Sequence, residues 1–133
     1  MKLLEYEAKQ ILAASGIATP NSYLAAEKPE FLPAVIKSQV PTGGRGKAGG
    51  IVIVRSDDEY RAAMTKIPTI SIKGFTPKTL LAEELIDIDR ELYLSLLIDK
   101  KAATITLMAH TNGGVEVEEN PADSYFTRPL SAN

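Results

Sequence analysis

The chain has 133 residues, of which 44% are hydrophobic and 24% are charged, and its net charge at pH 7 is −2. This length and balance favour one soluble globular domain, and the small net charge excludes a general attraction to nucleic acid or to an anionic membrane. The chain contains no cysteine, which excludes disulfides, thiolate zinc sites and cysteine nucleophiles. No run of 18 apolar residues is present, so the sequence predicts no membrane-spanning segment.

The first half of the chain predicts two helices with strands between them. In order, the predicted elements are a helix over 3–14, a short strand within 21–26, a connector at 28–33, and strands at 34–40 and 51–55. In the first helix Leu4, Ala8, Ile11 and Leu12 share a face, and Gly16 supplies a stop. A second helix begins at the capping box of Ser56 and Glu59, presents Tyr60, Ala63, Met64 and Ile67 on one face, and ends at Pro68.

The second half of the chain predicts mainly strands. The extended runs are TISI, TLLAEEL, ELYLSLLID, ATITLMAH and VEVEE, and turn-forming residues separate them. The residues from Asp123 onward are polar, and we expect them to fray. Together the elements predict an α+β fold in which helices flank a mixed or antiparallel sheet.

The segment PTGGRGKAGG, residues 41–50, is the most distinctive motif of the chain. Its residues 44–49 fit the pattern G-x-G-x-x-G, but a strand follows where a dinucleotide-binding fold requires a helix. A Walker A loop is excluded because Ala48 follows Lys47 where Ser or Thr is needed, and a protein kinase is excluded because the His-Arg-Asp and Asp-Phe-Gly motifs are missing. The remaining arrangement is strand, glycine loop, strand, which can fold over a polyphosphate.

The residue types in and beside this loop favour an anion as ligand. Glycine lets backbone N–H groups approach a phosphate closely, and Arg45 and Lys47 add positive charge. Lys37 interrupts an apolar strand and needs a partner if it is buried, which a phosphate oxygen could provide. The alternative is that Lys37 snorkels at an edge strand beside an unoccupied loop.

Three acidic residues and one histidine are further candidates for a site. Glu83 and Glu84 end one apolar run and Glu91 opens the next, where a carboxylate could accept hydrogen bonds from ribose hydroxyls or from an adenine amine. Solvated strand ends would explain them equally well. His110 is the only histidine, so a histidine-based metal cluster is excluded and a structural role is expected.

Four blocks of the sequence carry a resemblance to a known family. LLEYEAKQILAASGIATP, AVIKSQVPTGGRGKAGGI, LLAEELIDIDRELYLSLLID and TNGGVEVEE resemble, in this order, the start of the β subunits of ADP-forming succinyl-CoA synthetases. The resemblance covers most of the chain. It implies an ATP-grasp fold, in which two α+β lobes grip ATP under a glycine-rich flap, and a cytoplasmic ligase of the tricarboxylic acid cycle.

The resemblance also implies a nucleotide site and its partners. Lys37 would contact the phosphates, Gly44, Arg45 and Gly46 would form the flap, Glu83 and Glu91 would be nucleotide-binding acids, and Ile86 would make a backbone contact. The family interconverts succinate, CoA and ATP (or GTP) with succinyl-CoA through a phosphohistidine. That histidine belongs to the partner α subunit, so His110 does not inherit its role and no residue of this chain is expected to be catalytic.

The chain departs from the family in what it lacks. The family's β subunit is much longer, and its magnesium ligands and CoA-ligase domain are expected beyond residue 133. We therefore expect residues 1–133 to be the amino-terminal part of an ATP-grasp domain that holds a nucleotide but is inactive alone. The alternatives are a non-catalytic nucleotide-binding or assembly module and a related malate, acetate or citrate CoA ligase. Binding of single-stranded nucleic acid is disfavoured because aromatic residues do not interleave with the basic ones.

Overall fold

The structure is a computed structural model that describes residues 2–100, 103–114 and 117–130. The length of the chain favours one domain, but the structure has two compact units, Met1–Ile86 and Asp87–Asn133. Each unit contains its own hydrogen-bonded sheet, and this is why the chain divides between them. All strand pairs named below are antiparallel, in agreement with the predicted α+β class.

The first unit contains a four-stranded sheet and two helices. Its elements are α1 (Glu5–Ala14), β1 (Ser22–Leu24), β2 (Ala34–Ser38), β3 (Ile51–Val54), α2 (Asp57–Lys66), a 3-10 turn (Ile67–Thr69) and β4 (Leu80–Glu84). The strand order is β1-β4-β2-β3. Apart from the strand predicted for TISI, the predicted helices and strands in this part are therefore confirmed, with ends that differ by a few residues. β2 and β3 form the expected hairpin around the glycine loop.

One face of this sheet forms the core with α2. Ala34 and Ile36 on β2 and Leu80 and Ala82 on β4 alternate with residues of the opposite face, as the two-residue period of a strand requires. Against them pack the residues predicted for the inner face of α2: Tyr60, Ala63, Met64 and Ile67. The Ser56 Oγ accepts a hydrogen bond from the Glu59 N–H at 3.3 Å and thereby caps the helix.

The opposite face of the sheet lies under α1. Val35 and Lys37 on β2 and Glu83 on β4 share this face, because Val35 stands directly opposite Glu83 in the register. The apolar stripe of α1 predicted from its periodicity does not cover this face, since Ile11 and Leu12 are exposed. Its charged residues lie against the sheet instead, and the Gln39 Oε1 accepts a hydrogen bond from the Tyr6 N–H at 3.2 Å.

The second unit is a small three-stranded sheet. Its strands are β5 (Tyr93–Asp99), β6 (Thr104–His110) and β7 (Phe126–Leu130), in the order β5-β6-β7, with 3-10 turns at Val117–Glu119 and Ala122–Ser124. The register places Leu94, Leu96 and Ile98 of β5 on one face, and all three are exposed. Among the described residues of this unit, none is classed as buried.

Three predictions of secondary structure are wrong. The TISI run forms no strand, because Lys73 (φ 49°) and Gly74 (φ 85°) turn the chain at once and leave a single bridge from Ile72 to Phe75. Val117–Glu119 is a 3-10 turn where a strand was predicted, and residues 115 and 116 lie outside the described part. The end of the chain does not fray throughout, since Phe126–Leu130 pairs with β6. In the described ranges no helix is long and apolar enough to cross a membrane.

Candidate functional site

Five charged side chains meet between α1 and the sheet, and we call them the charge cluster: Glu5, Lys9, Lys37, Arg45 and Glu83. Lys37 extends from β2 toward both carboxylates, with its Nζ 2.5 Å from the Glu83 Oε1 and 3.2 Å from the Glu5 Oε1. Lys9 forms an ion pair with the other oxygen of Glu83 and lies 3.7 Å from the Glu5 Oε1. The sheet and the helix therefore share one network of ion pairs.

Arg45 connects the glycine loop to this network. Its Nη1 donates to the backbone oxygen of Ser38 at 2.8 Å, and its Nη2 lies 2.7 Å from the Glu5 Oε2. The five side chains of the cluster are between 8% and 21% exposed. Because three cations face two carboxylates, the cluster has an excess of positive charge, and its half-buried position protects that charge from screening by solvent.

The cluster shifts the pKa values of two of its members. Burial raises the pKa of the Glu5 carboxyl, but the nearby charges of Lys37 and Arg45 outweigh burial and hold this pKa below its ordinary value of 4.5. Burial lowers the pKa of the Lys37 ammonium, but the carboxylates of Glu83 and Glu5 outweigh it and raise this pKa above its ordinary value of 10.5. Both groups are therefore charged at neutral pH.

The glycine loop between β2 and β3 folds into tight turns. The Gly50 N–H donates to the Arg45 oxygen at 2.8 Å, and the Ala48 N–H donates to the Gly44 oxygen at 3.2 Å. Gly44 has φ +83°, a left-handed conformation that favours glycine, and a Cβ atom added at Gly46 would meet no atom within 4 Å. The backbone at Gly44 and Gly46 is exposed, so a ligand could approach it closely.

Gly50 is required for packing at the base of the loop. A Cβ atom at this position would lie 2.5 Å from the Ser38 Oγ and 2.8 Å from the Ile72 Cδ1. The Ser38 N–H donates to the Gly50 oxygen at 2.7 Å, which joins the loop to the end of β2. The glycines of this motif therefore have two different roles: Gly50 allows close packing, whereas Gly44 and Gly46 leave backbone open.

A further cation, Lys73, lies beside the loop. The sequence pattern did not predict this position. Lys73 turns toward Gly44, such that a Cβ atom at Gly44 would be 3.3 Å from the Lys73 Cε and 3.7 Å from its Nζ. The tight turn formed by Lys73 and Gly74 sets this position. The only signal in the sequence is the pair Lys-Gly directly after the TISI run, in a segment predicted as a turn.

A cleft of about 510 Å³ opens beside the cluster. Glu5 and Arg45 line it from the cluster, and the other lining residues are Lys2, Leu3 and residues 40–43, where the glycine loop begins. The cleft therefore joins the cation of the loop to the amino-terminal end of α1.

The structure brings together those predicted site residues that lie on β2, β4 and the glycine loop. Lys37, Arg45 and Glu83 are in contact through the cluster, and Gly44 and Gly46 flank Arg45 on the loop. Ile86 is exposed, two residues beyond the end of β4. Glu91 belongs to the second unit, where it is exposed and its backbone oxygen accepts from the Gly113 N–H at 3.0 Å.

Two of the simpler alternatives fail. Glu83 is not a solvated strand end, because it is only 6% exposed and is ion-paired to two lysines. Lys37 is not on an edge strand, because β2 lies between β4 and β3. Glu84 accepts a hydrogen bond from the Asn21 Nδ2 at 2.7 Å and does not join the cluster.

The contacts of His110 fit the structural role predicted for it. Its Nδ1 accepts from the Asn112 N–H at 2.9 Å, its Nε2 lies 2.9 Å from the Ser124 Oγ, and its ring packs against that of Tyr125. These contacts all lie within the second unit. Among residues 2–100, 103–114 and 117–130, no group of three histidine or acidic side chains could hold a metal ion.

Comparisons with known proteins show the family of the chain. A family profile described as the ATP-grasp domain matches residues 2–124. The succinate–CoA ligase (ADP-forming) subunit beta of Ignicoccus hospitalis is 43% identical over 128 residues, and that of Chloroflexus aggregans is 39% identical over 127 residues. The matches cover 90% of this chain, which spans about a third of the length of these relatives.

Solved structures show the same fold. ACD1 of Ca. Korarchaeum cryptofilum, in complex with coenzyme A, superposes with a TM-score of 0.73 at 30% identity, over 97% of this chain and 61% of that one. PH1788 from Pyrococcus horikoshii Ot3 also has a TM-score of 0.73, over 98% of this chain and 60% of that one. At 22% identity, the second likeness concerns the fold alone.

Proposed function

The chain belongs to the ATP-grasp family, and from this premise we propose that the charge cluster and the glycine loop form the phosphate-binding part of a nucleotide site. The observation that carries the proposal is the placement of Lys37 and Arg45, two half-buried cations joined in one network beside an open glycine backbone. Such a combination of fixed positive charge and accessible N–H groups suits a polyphosphate.

The residues present fit a nucleotide in charge and in available donors. The contacts of Lys37 with Glu5 and Glu83 use two of the three ammonium hydrogens, and the named contacts of Arg45 use two of its five N–H groups. Gly44 and Gly46 would offer backbone N–H groups to the phosphates. Glu83, Ile86 and Glu91 are proposed to complete the site around the rest of the nucleotide.

For the whole protein we propose an acid–CoA ligase of the succinate–CoA ligase type. Residues 1–133 would be the amino-terminal part of its ATP-grasp domain, and a cytoplasmic β subunit would work with an α subunit that carries a phosphohistidine. Its nucleotide would be ATP or GTP with Mg²⁺, which neutralises phosphoryl charge when bound. The described residues contain no group of three histidine or acidic side chains that could hold a metal ion, so no role in holding Mg²⁺ is assigned to them.

A second candidate is a related acyl-CoA ligase that acts on another acid. It is favoured by the likeness to the dinucleotide-forming acetyl-coenzyme A synthetase 1 of Ca. Korarchaeum cryptofilum, which has a TM-score of 0.62 at 30% identity and covers 97% of this chain. Both candidates share the nucleotide site proposed above and differ in the acid. An assay of the full-length β subunit with its α subunit, given succinate, malate, acetate or citrate, would separate them.

Calorimetric titration tests the nucleotide site directly. The 133-residue chain is titrated with a non-hydrolysable ATP analogue plus Mg²⁺, and then with the GTP analogue. We expect saturable binding, weakened at least about tenfold by Lys37→Ala, because a charge-assisted contact to phosphate is lost. Lys28→Ala removes an exposed lysine of the connector and is the matched control. A folded chain that releases no heat, or equal binding by both variants, would refute the site.

A further inference from the structure

Glu5 has a position that its sequence pattern did not indicate. It is the first residue of α1, and its carboxylate contacts both Lys37 of the sheet and Arg45 of the loop. Its Oε1 lies 3.2 Å from the Lys37 Nζ, and its Oε2 lies 2.7 Å from the Arg45 Nη2. One carboxylate therefore sets the distance between two side chains proposed to bind phosphate.

We propose that Glu5 is a positioning residue, which holds the glycine loop against the sheet so that Arg45 and Lys37 face one phosphate group together. This inference rests on the nucleotide site proposed above. Glu5 is not assigned a contact with the nucleotide, since both of its oxygens are engaged with the two cations.

The anchoring of α1 makes this role physically reasonable. The Gln39 Oε1 accepts from the Tyr6 N–H, and Lys9 pairs with Glu83, so the helix is tied to the sheet by contacts that do not involve the loop. Arg45, in contrast, is held at its guanidinium by the Ser38 oxygen and by Glu5. Without Glu5 the guanidinium keeps a contact with its own hairpin and loses its contact with α1.

Two possible roles of Glu5, balancing charge and positioning the loop, predict opposite effects of its neutralisation on nucleotide binding. Its pKa is lowered by Lys37 and Arg45, so it is ionised at neutral pH and its negative charge opposes the binding of any anion. If Glu5 only balanced charge, its neutralisation would strengthen nucleotide binding. If it positions the loop, neutralisation weakens binding, because the amide of Gln can accept from one cation but turns an N–H₂ group toward the other.

Cleavage by trypsin measures the position of the loop without any nucleotide. Arg45 and Lys47 are sites in the loop, and Arg61 and Lys66 in α2 serve as internal reference sites that report on general unfolding. We expect Glu5→Gln to raise loop cleavage several-fold relative to α2 cleavage. Glu27→Gln, which replaces an exposed acid just before the connector, should leave the ratio unchanged. An unchanged ratio for Glu5→Gln would overturn the proposal.

Titration with the ATP analogue gives the second readout. We expect Glu5→Gln to weaken binding about tenfold, and Glu5→Asp to weaken it less, since the shorter carboxylate can still reach one cation. In the Arg45→Ala background the effect of Glu5→Gln should shrink, because Glu5 acts through Arg45. Equal or tighter binding by Glu5→Gln, or full additivity with Arg45→Ala, would overturn the role of Glu5 and leave the nucleotide site intact. Failure of the wild-type chain to bind would instead refute the nucleotide site, and the trypsin ratio would still decide whether Glu5 holds the loop.

Discussion

The two units of the chain differ in how their sheets are covered. In the first unit α2 packs on one face of the sheet and forms the core, while α1 lies on the other face and completes the charge cluster. In the second unit the apolar side chains of β5 are exposed, Ile98 by 73%. A sheet covered on both faces can fix charged groups at set distances, and this is why the candidate site is built on the first unit.

The largest expected difference between the units concerns core isoleucines. Ile36→Ala removes a fully buried side chain from the central strand and should lower the free energy of unfolding by about 2–5 kcal/mol. Ile98→Ala makes the same chemical change on an exposed strand and should cost less than about 0.5 kcal/mol. Urea unfolding followed by circular dichroism measures both. Equal losses would mean that the second unit buries its apolar face in solution.

Glu83 and Glu91, two acids proposed for the nucleotide site, should also differ in how much their neutralisation lowers stability. Glu83→Gln removes one of the two carboxylates that Lys9 and Lys37 share and leaves only Glu5 near these two half-buried cations, so we expect a loss of about 3 kcal/mol in stability. Glu91→Gln neutralises an exposed acid of the second unit and should change stability by less than about 0.5 kcal/mol. Thermal unfolding of the two variants at low salt makes the comparison. If Glu83→Gln lost as little stability as is expected of Glu91→Gln, the charge cluster would contribute little to the stability of the fold.

Glycine substitutions probe close packing in the first unit. Gly50→Ala should cost about 1–3 kcal/mol, because its Cβ would overlap Ser38 and Ile72. Gly43→Ala lies in open space in the same loop and should be nearly neutral. In the second unit Gly113→Ala would meet the backbone of Leu92 at 2.6 Å, and we expect it to disturb that turn while the first unit keeps its unfolding midpoint. A shared midpoint shift would mean that the units unfold together.

The smallest effect is the pH dependence contributed by Glu5. Its pKa is lower in the folded chain than the unfolded value of 4.5, so its ion pairs stabilise the fold above that value, and this contribution is lost as the pH falls through the folded pKa. Between about pH 5 and pH 3 the wild type should therefore lose more stability than Glu5→Gln does. Glu91→Gln changes the net charge by the same amount as Glu5→Gln and is therefore the control. Parallel curves for the wild type and Glu5→Gln would contradict the pKa shift.

Local sequence signals predicted most of the regular structure. The β-branched runs specified β2 and β3, and the capping residue Ser56 with an apolar face specified α2. The strand β7 was missed because Arg128 and Pro129 weaken its pattern, and it forms only by pairing with β6. For TISI, the turn at Lys73 and Gly74 outweighed β propensity.

The candidate site was only partly predictable for a different reason. Lys37 and the glycine loop are adjacent in sequence, so their chemistry could be read together. Glu5 and Lys9 are four positions apart on α1, but the contact of Lys9 with Glu83 depends on which side of α1 meets the sheet. The apolar stripe of α1 pointed to another side, and residue spacing contains no information about a partner more than seventy positions away.

The strand order has a consequence for the path of folding. β2 and β3 form a local hairpin, whereas β4 joins β2 only after α2 and the turn that follows it have been passed. Because distant pairings close larger loops, we expect the hairpin to form early and β4 to dock late. Lys37 and the loop would then come together before Glu83 arrives. The cations of the site are therefore expected to come together before Glu83 neutralises part of their charge. An added polyphosphate, which would bind these cations, should change the folding rate as well as the final stability.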